Sequence, residues 1–371
     1  MIKSNSLMIK KFFLVSFVFI ILTNNFFNYD ESILYGQTDG ITYFKIAEAA
    51  PNISIEKLPY HKAQRFLLPY ITGVISKYLI VDIYTLFRIF SFCLVGLILL
   101  IFKKIFNKLN VEINFQIFLF SLIIFNPYII RYYLATPLMI NDLLFLLSGT
   151  LLILSFISSN KWLLSLSIFL ATISRIESIF FILALIIGKV IYKKKYTFSL
   201  NSIGINLFIF SSIFLLNNYH ASIVSSDGIA AFALKQRFGL FIFNYSLKEF
   251  LIFIILPFLN FFPILLFLLF FNYKLSNFKQ DGLFIFSIII FFLTMITPLI
   301  SGPIITGKNI IRLINLSYPF MIYIFYKILI IKNNLILYKK ILFLFILILW
   351  SLHPTYSSVN IFSPLSKIFS Y

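Results

Sequence analysis

One polar island, "YGQTDGITYFKIAEAAPNISIEKLPYHKAQRFLLPY" (residues 35–70), lies between two strongly apolar runs and holds Asp39, Glu48, Glu56, His61, Lys62 and Arg65. A partly desolvated carboxylate close to a membrane surface can take a proton from a hydroxyl or ligate a metal, and Asp39 beside Gly40 has that character. Asp at such a position also caps the helix that follows, and the two roles are compatible. Arg65, Arg131, Arg175, Arg237, Lys308 and Arg312 fall near the ends of apolar runs. The planar guanidinium fork suits bidentate contact with phosphate, so as a group these cations call for an anionic partner. Taken singly, each could instead pair with Asp142, Glu177 or Asp227 or contact lipid headgroups. Too few acids are present to pair them all.

Asp142 and Arg88 lie within apolar runs, where ionisable groups are costly unless paired or functional, and they are candidates to pair with each other. His61 and His220 show none of the His/Asp/Glu spacing of a zinc site and read as interfacial polar residues. The sequence holds no P-loop, no dinucleotide glycine fingerprint and no Ser-centred nucleophile motif, so nothing supports nucleotide hydrolysis.

The elements that must position these residues are membrane helices. Of 371 residues, 61% are hydrophobic, 12% are charged and 49 are Phe, more apolar surface than a soluble domain can bury. A bilayer core of about 30 Å needs about 20 apolar residues of helix. The uncharged windows 113–130, 143–160, 196–219, 250–273 and 283–307 approach or exceed that length. The net charge of +19 raises the question of a nucleic-acid partner. The lysines instead cluster between apolar runs, at Lys103/Lys104/Lys108, Lys193 to Lys195, Lys274/Lys279 and Lys332/Lys339/Lys340, the pattern of short cytoplasmic loops. The single cysteine, Cys93, excludes an intramolecular disulfide.

The fold class is therefore all-α: a polytopic integral membrane protein with about 11 transmembrane helices and interfacial helices in a long first extracytoplasmic loop, residues 29–80. With the N-terminus cytoplasmic, spans are expected near 11–28, 81–103, 113–131, 137–158, 161–174, 176–192, 198–217, 248–272, 282–300, 311–331 and 340–353. The first is read as an uncleaved anchor, because no small-residue cleavage site follows it. As one helix, residues 162–192 would measure roughly 46 Å, too long for the core without strong tilt, so two helices are expected to meet at "SRIES", Arg175 and Glu177. The chain reads as a single integral membrane domain over 1–371.

An anchor helix, an Asp shortly after it, interfacial helices and many further spans together resemble the GT-C membrane glycosyltransferases. The similarity is strongest over residues 1–192, in "TDGITYFKIAE", "HKAQRFLLPY", "NPYIIRYYLATPLMINDLLFLL" and "ATISRIESIFFI"; "GKNIIRLINLSYPFMIY" resembles that family's late Arg-containing helix, and 193–371 would be the variable C-terminal helices. The resemblance implies an enzyme of the cytoplasmic (inner) membrane, and richness in Phe, Ile, Lys and Asn suggests a bacterial one. It would move a sugar from a polyprenyl-phosphate donor to an extracytoplasmic glycan, lipid or protein acceptor by inverting displacement. Asp39 would be the general base. Arg65, Arg175, Arg312, Arg131 and Lys308 would hold the lipid phosphate, with Glu177, Asp142 and His61 orienting cations or binding sugar hydroxyls. No metal ligand is assigned, because Asp39 is flanked by Thr38 and Gly40 where many members carry two adjacent acids. A divalent metal, Mg or Mn, stays open as a cofactor. Membrane lipids are the other expected partners, and no nucleic acid is. Two alternatives share these features. A transporter or flippase of lipid-linked glycans is favoured by the prolines of 248–272 (Pro257, Pro263). A polymerase of such glycans would share the outer arginines.

Overall fold

The computed structural model describes residues 11–18, 20, 39–54, 56–192, 197–225, 251, 264, 273–275, 281–306, 310–331 and 337–352. These are helical apart from turns and one short antiparallel pairing, β1 (Tyr273–Leu275) with β2 (Leu329–Ile331). Among the described residues three helices are long and apolar enough to cross a membrane: Ile83–Lys108, Pro137–Ser158 and Leu200–Val224. Shorter apolar helices lie at Ile113–Ile124, Lys161–Ser174, Gly282–Thr297 and Ile341–Ser351. Most of the expected span 248–272, together with Arg237 and Lys308, lies outside the described residues or side chains.

The described part of the loop between the first two apolar runs, residues 39–54 and 56–80, is folded. It forms α1 (Asp39–Ala49), α2 (Tyr60–Ala63) and α3 (Leu67–Leu79). Helix α3 approaches α1 so closely at Gly73 that an added Cβ would lie 1.9 Å from the Ala47 carbonyl oxygen. Only glycine permits that contact. Ile80 closes α3 in the left-handed region at φ 53°, and Asp82 then accepts from Thr85 N at 2.8 Å to start α4 (Ile83–Lys108).

Beyond α4 come α5 (Ile113–Ile124), a wide turn at Pro127–Arg131, the short α6 (Tyr132–Ala135) and a tight turn at Pro137–Met139 leading into α7 (Ile140–Ser158). The expected span 113–131 thus ends early, because Pro127 brings no N–H to the helix ladder. Helix α7 is the centre of the bundle, buried from Ile140 to Phe156 and packed against α4 and α8 (Lys161–Ser174). Its Ser148, Thr150 and Ser155 hydroxyls donate to carbonyls one turn back, which satisfies them without water.

The "SRIES" segment breaks as expected, with Lys161–Ser174 and Ile179–Tyr192 (α9) joined through extended Arg175 and the turn Ile176–Ser178. Helix α10 (Leu200–Val224) packs on α8 and on α2, and α11 (Gly282–Thr306) packs on α9. The expected span 311–331 is divided into α12 (Ile310–Asn315), α13 (Tyr318–Ile328) and β2. Pro319 cannot donate, so Leu316 and Ser317 tighten onto the carbonyls of Leu313 and Ile314 and the chain starts a new helix. Leu337–Leu352 forms α14. The main core gathers residues from Ile20 to Leu347, whereas α4 and α10 leave Ile89, Phe92, Leu97, Ile205, Phe208 and Leu215 exposed, the apolar faces that lipid would cover.

Candidate functional site

Three carboxylates and three guanidinium groups close a ring of alternating charge. Asp39 Oδ2 accepts from Arg312 Nη2 at 2.5 Å; Arg312 Nε binds Asp142 Oδ2; Asp142 Oδ1 binds Arg175 Nη1. Arg175 then grips Glu177 with both arms, Nε to Oε2 at 3.0 Å and Nη2 to Oε1 at 2.8 Å. Glu177 Oε1 lies 3.9 Å from Arg65 Nη2, and Arg65 Nη1 returns to Asp39 Oδ2 at 3.4 Å. Lys62 Nζ adds a further cation 3.6 Å from Asp39 Oδ1.

Local backbone explains why these side chains converge. Helix α8 stops at Ser174, and extended Arg175 (φ −155°, ψ 145°) with the turn after it lets Arg175 bind Glu177 two residues on and Asp142 on α7. Asp142 sits in the first turn of α7 and Arg312 in the short α12, whose boundary is set by the break before Pro319. Arg65 follows α2, fixed by two contacts outside the ring: its Nη1 donates to the Tyr43 hydroxyl at 3.1 Å, and its carbonyl accepts from Asn141 Nδ2 at 2.9 Å.

The segment carrying Lys62 and Arg65 is clamped by the end of α10. Asn218 Oδ1 accepts from Tyr60 Oη and from Gln64 Nε2, each at 2.7 Å, and His220 Nδ1 lies 3.1 Å from the Ala63 carbonyl oxygen. The His220 ring stacks on Phe66 with centroids 3.8 Å apart, and Leu58 N donates to Val224 O at 2.9 Å. His220, which the sequence suggests only as an interfacial residue, is a structural contact of the site.

Burial is graded across the ring. Asp142 and Arg175 are 1% and 2% exposed, whereas the side chains of Asp39 and Lys62 reach 17% and 14%, so the ring opens on the Asp39 side. Burial tends to raise the Asp39 pKa, but Arg312, Arg65 and Lys62 outweigh it and hold the carboxyl well below the usual carboxylate range. Among the described residues four cations meet three carboxylates here, an excess of one positive charge in a poorly hydrated place. Such a charge attracts an anion. The same donor set does not fit Mg or Mn: each carboxylate is already bound by guanidinium, and among the described residues no group of three His, Cys, Asp or Glu side chains is placed to hold a metal.

Of the residues singled out in the sequence, Asp39, Arg65, Asp142, Arg175, Glu177 and Arg312 all enter the ring. Arg131 does not: buried in the bundle, it binds the Ser351 carbonyl and donates to Ser351 Oγ at 2.7 Å. Asp142 and Arg88, candidates in the sequence to pair with each other, do not meet: Asp142 takes Arg175 and Arg312, while Arg88 lies exposed with its guanidinium 5.4 Å from the Tyr84 ring centre. His61 is half-buried on α2, one residue before Lys62. Of the island's acids, Glu56 forms an exposed pair with Lys45 and Glu48 is exposed. The sequence does not assign Lys62, Tyr43 and Asn141 to the site, although Lys62 stands three residues before Arg65 and Asn141 directly before Asp142.

Fold and site together define a helical membrane protein that buries a ring of three carboxylates and three guanidinium groups, with Lys62 beside it, next to a folded loop. The chain matches no family model, no curated protein and no solved structure.

Proposed function

We propose that the protein is a polytopic membrane glycosyltransferase that moves a sugar from a polyprenyl-phosphate donor to a hydroxyl acceptor. The observation that carries this reading is the ring itself, a carboxylate on its open side backed by cations in excess. A lipid phosphate supplies the anion such a place attracts, and its polyprenyl tail suits the exposed apolar faces of neighbouring helices. In this reading about 11 spans cross a bacterial inner membrane. The N-terminus is cytoplasmic and the ring faces the extracytoplasmic side.

The chemistry is one inverting displacement. An acceptor oxygen attacks the anomeric carbon as its proton passes to an Asp39 oxygen, and the bond from that carbon to the phosphate oxygen breaks. The electron pair leaves on the phosphate, where Arg65, Lys62 and Arg312 stabilise it. Electrostatic support of this kind is the largest contribution in many enzymes. With the ring closed Asp39 is a weak base, because three cations stabilise its charge. A bound phosphate shares those cations, loosens their hold on Asp39 and raises its basicity when the donor is in place.

The test is transfer of labelled sugar in membranes from a panel of polyprenyl-phosphate donors, native chain against Asp39→Asn. Transfer by the native chain and its loss in an equally expressed variant supports the assignment. Equal transfer by both removes Asp39 from the mechanism, and binding of donors without transfer favours a transporter of lipid-linked glycans.

A further inference from the structure

Tyr133 is among the largest fully buried side chains, 1% exposed, and its hydroxyl has no hydrogen-bond partner among the described residues. A buried hydroxyl left unmatched costs free energy, and few are tolerated in a native structure without a reason. Its placement supplies one. Tyr133 lies on α6, between the turn Pro127–Arg131, which packs against the helix carrying Arg312, and the turn Pro137–Met139, which packs against the helix carrying Asp39 and runs on towards Asp142. The Asp142 carboxylate and the Arg312 and Arg175 guanidinium groups are near enough to act electrostatically on its phenol.

Two more buried polar atoms without a hydrogen-bond partner among the described residues adjoin the ring in sequence, Asn141 Oδ1 beside Asp142 and Ser178 Oγ beside Glu177. A phenol in this position remains protonated, because burial and the Asp142 carboxylate both disfavour its anion more than the guanidinium groups favour it.

We propose that Tyr133 is a ligand-contacting residue of this site, its hydroxyl donating a hydrogen bond to an oxygen of a phosphate held by the ring cations. The inference rests on the phosphate-binding reading above and deepens it: charge attracts the anion, and Tyr133 adds a directed donor that distinguishes a phosphate oxygen from a bare negative charge. The ligand chemistry is a phosphate monoester or free phosphate.

The experiment compares native protein with Tyr133→Phe, both full-length in nanodiscs. Binding is titrated with polyprenyl monophosphate in one arm and inorganic phosphate in the other, and thermal unfolding is followed in parallel. One hydrogen bond from a neutral donor to a charged acceptor predicts about tenfold weaker binding in the variant. Its unfolding temperature should be unchanged or raised, since an unmatched buried hydroxyl is gone. A loss confined to the polyprenyl arm identifies the lipid headgroup as the source; a loss in both arms identifies phosphate in either form. Native-like binding by Tyr133→Phe overturns the Tyr133 inference alone. Native protein that binds neither probe overturns it together with the reading of the site. A fall in unfolding temperature with binding intact assigns Tyr133 a purely structural role and also overturns the proposal.

Discussion

Asp39 and Arg312 are 273 positions apart in the chain, yet their charged atoms meet at 2.5 Å. That contact joins the folded loop to the late short helix, and through Asp142 it continues to Arg175 and Glu177. Alternation of charge around a closed ring gives every guanidinium two carboxylate neighbours, which offsets the desolvation that any one of them would bear alone.

Asp142 neutralises two buried guanidinium groups, one on each oxygen. Asp142→Asn leaves Arg175 and Arg312 short of a counter-charge at 2% and 9% exposure. The expected loss is about 3–5 kcal/mol of stability, larger than for Asp39→Asn at the more open end of the ring. Thermal unfolding of both variants in the same detergent checks the order; a milder effect at Asp142 contradicts it.

Stability should depend on pH in a way that identifies Asp39. Although burial alone raises its pKa, Arg312, Arg65 and Lys62 hold it below the ordinary value. A carboxyl lower in the folded than in the unfolded state contributes stability that is present above the unfolded pKa and lost as pH falls through the folded one. With an unfolded value of about 4, the stability gap between native protein and Asp39→Asn should stay level down to about pH 5 and shrink only below it. A gap that closes near neutral pH shows that Asp39 is not held in its charged form.

Gly73 sets how closely α3 approaches α1. Gly73→Leu forces the two helices apart and should cost about 1–3 kcal/mol, with backbone movement carried to Asp39 and Arg65 at the ends of that pair. Site-directed spin labels on the two helices would report the separation, and an unchanged distance argues against the tight approach.

Asn218 and His220 hold the segment that presents Lys62 and Arg65. Asn218→Ala removes an acceptor shared by two donors, at about 1–3 kcal/mol for a group left unmatched, and His220→Ala removes the stack on Phe66, at about 0.5–1.5 kcal/mol. Hydrogen exchange should rise over residues 58–66 in both variants while α7 stays protected. Uniform exchange throughout the protein would mean that the clamp is not local.

Much of this protein is legible in one dimension. Long uncharged runs state that the chain belongs in lipid, and the paired break at Arg175 and Glu177 follows from a run too long for one crossing. Residue type alone also marks Asp39, Arg65, Asp142, Arg175, Glu177 and Arg312, because ionisable groups among so many apolar ones are costly and need a reason. Partner choice is not legible in the same way. Helical periodicity says that a residue lies on a face but not which other helix meets that face, so Asp142 could be matched with Arg88 on paper, while in the bundle α7 turns it to Arg175 and Arg312. The same limit hides the diversion of Arg131 to Ser351. The sequence by itself determined which side chains could not be left in an apolar surrounding unpaired; the tertiary structure decided their partners, because pairing depends on long-range packing among α1, α7, the Arg175 break and α12.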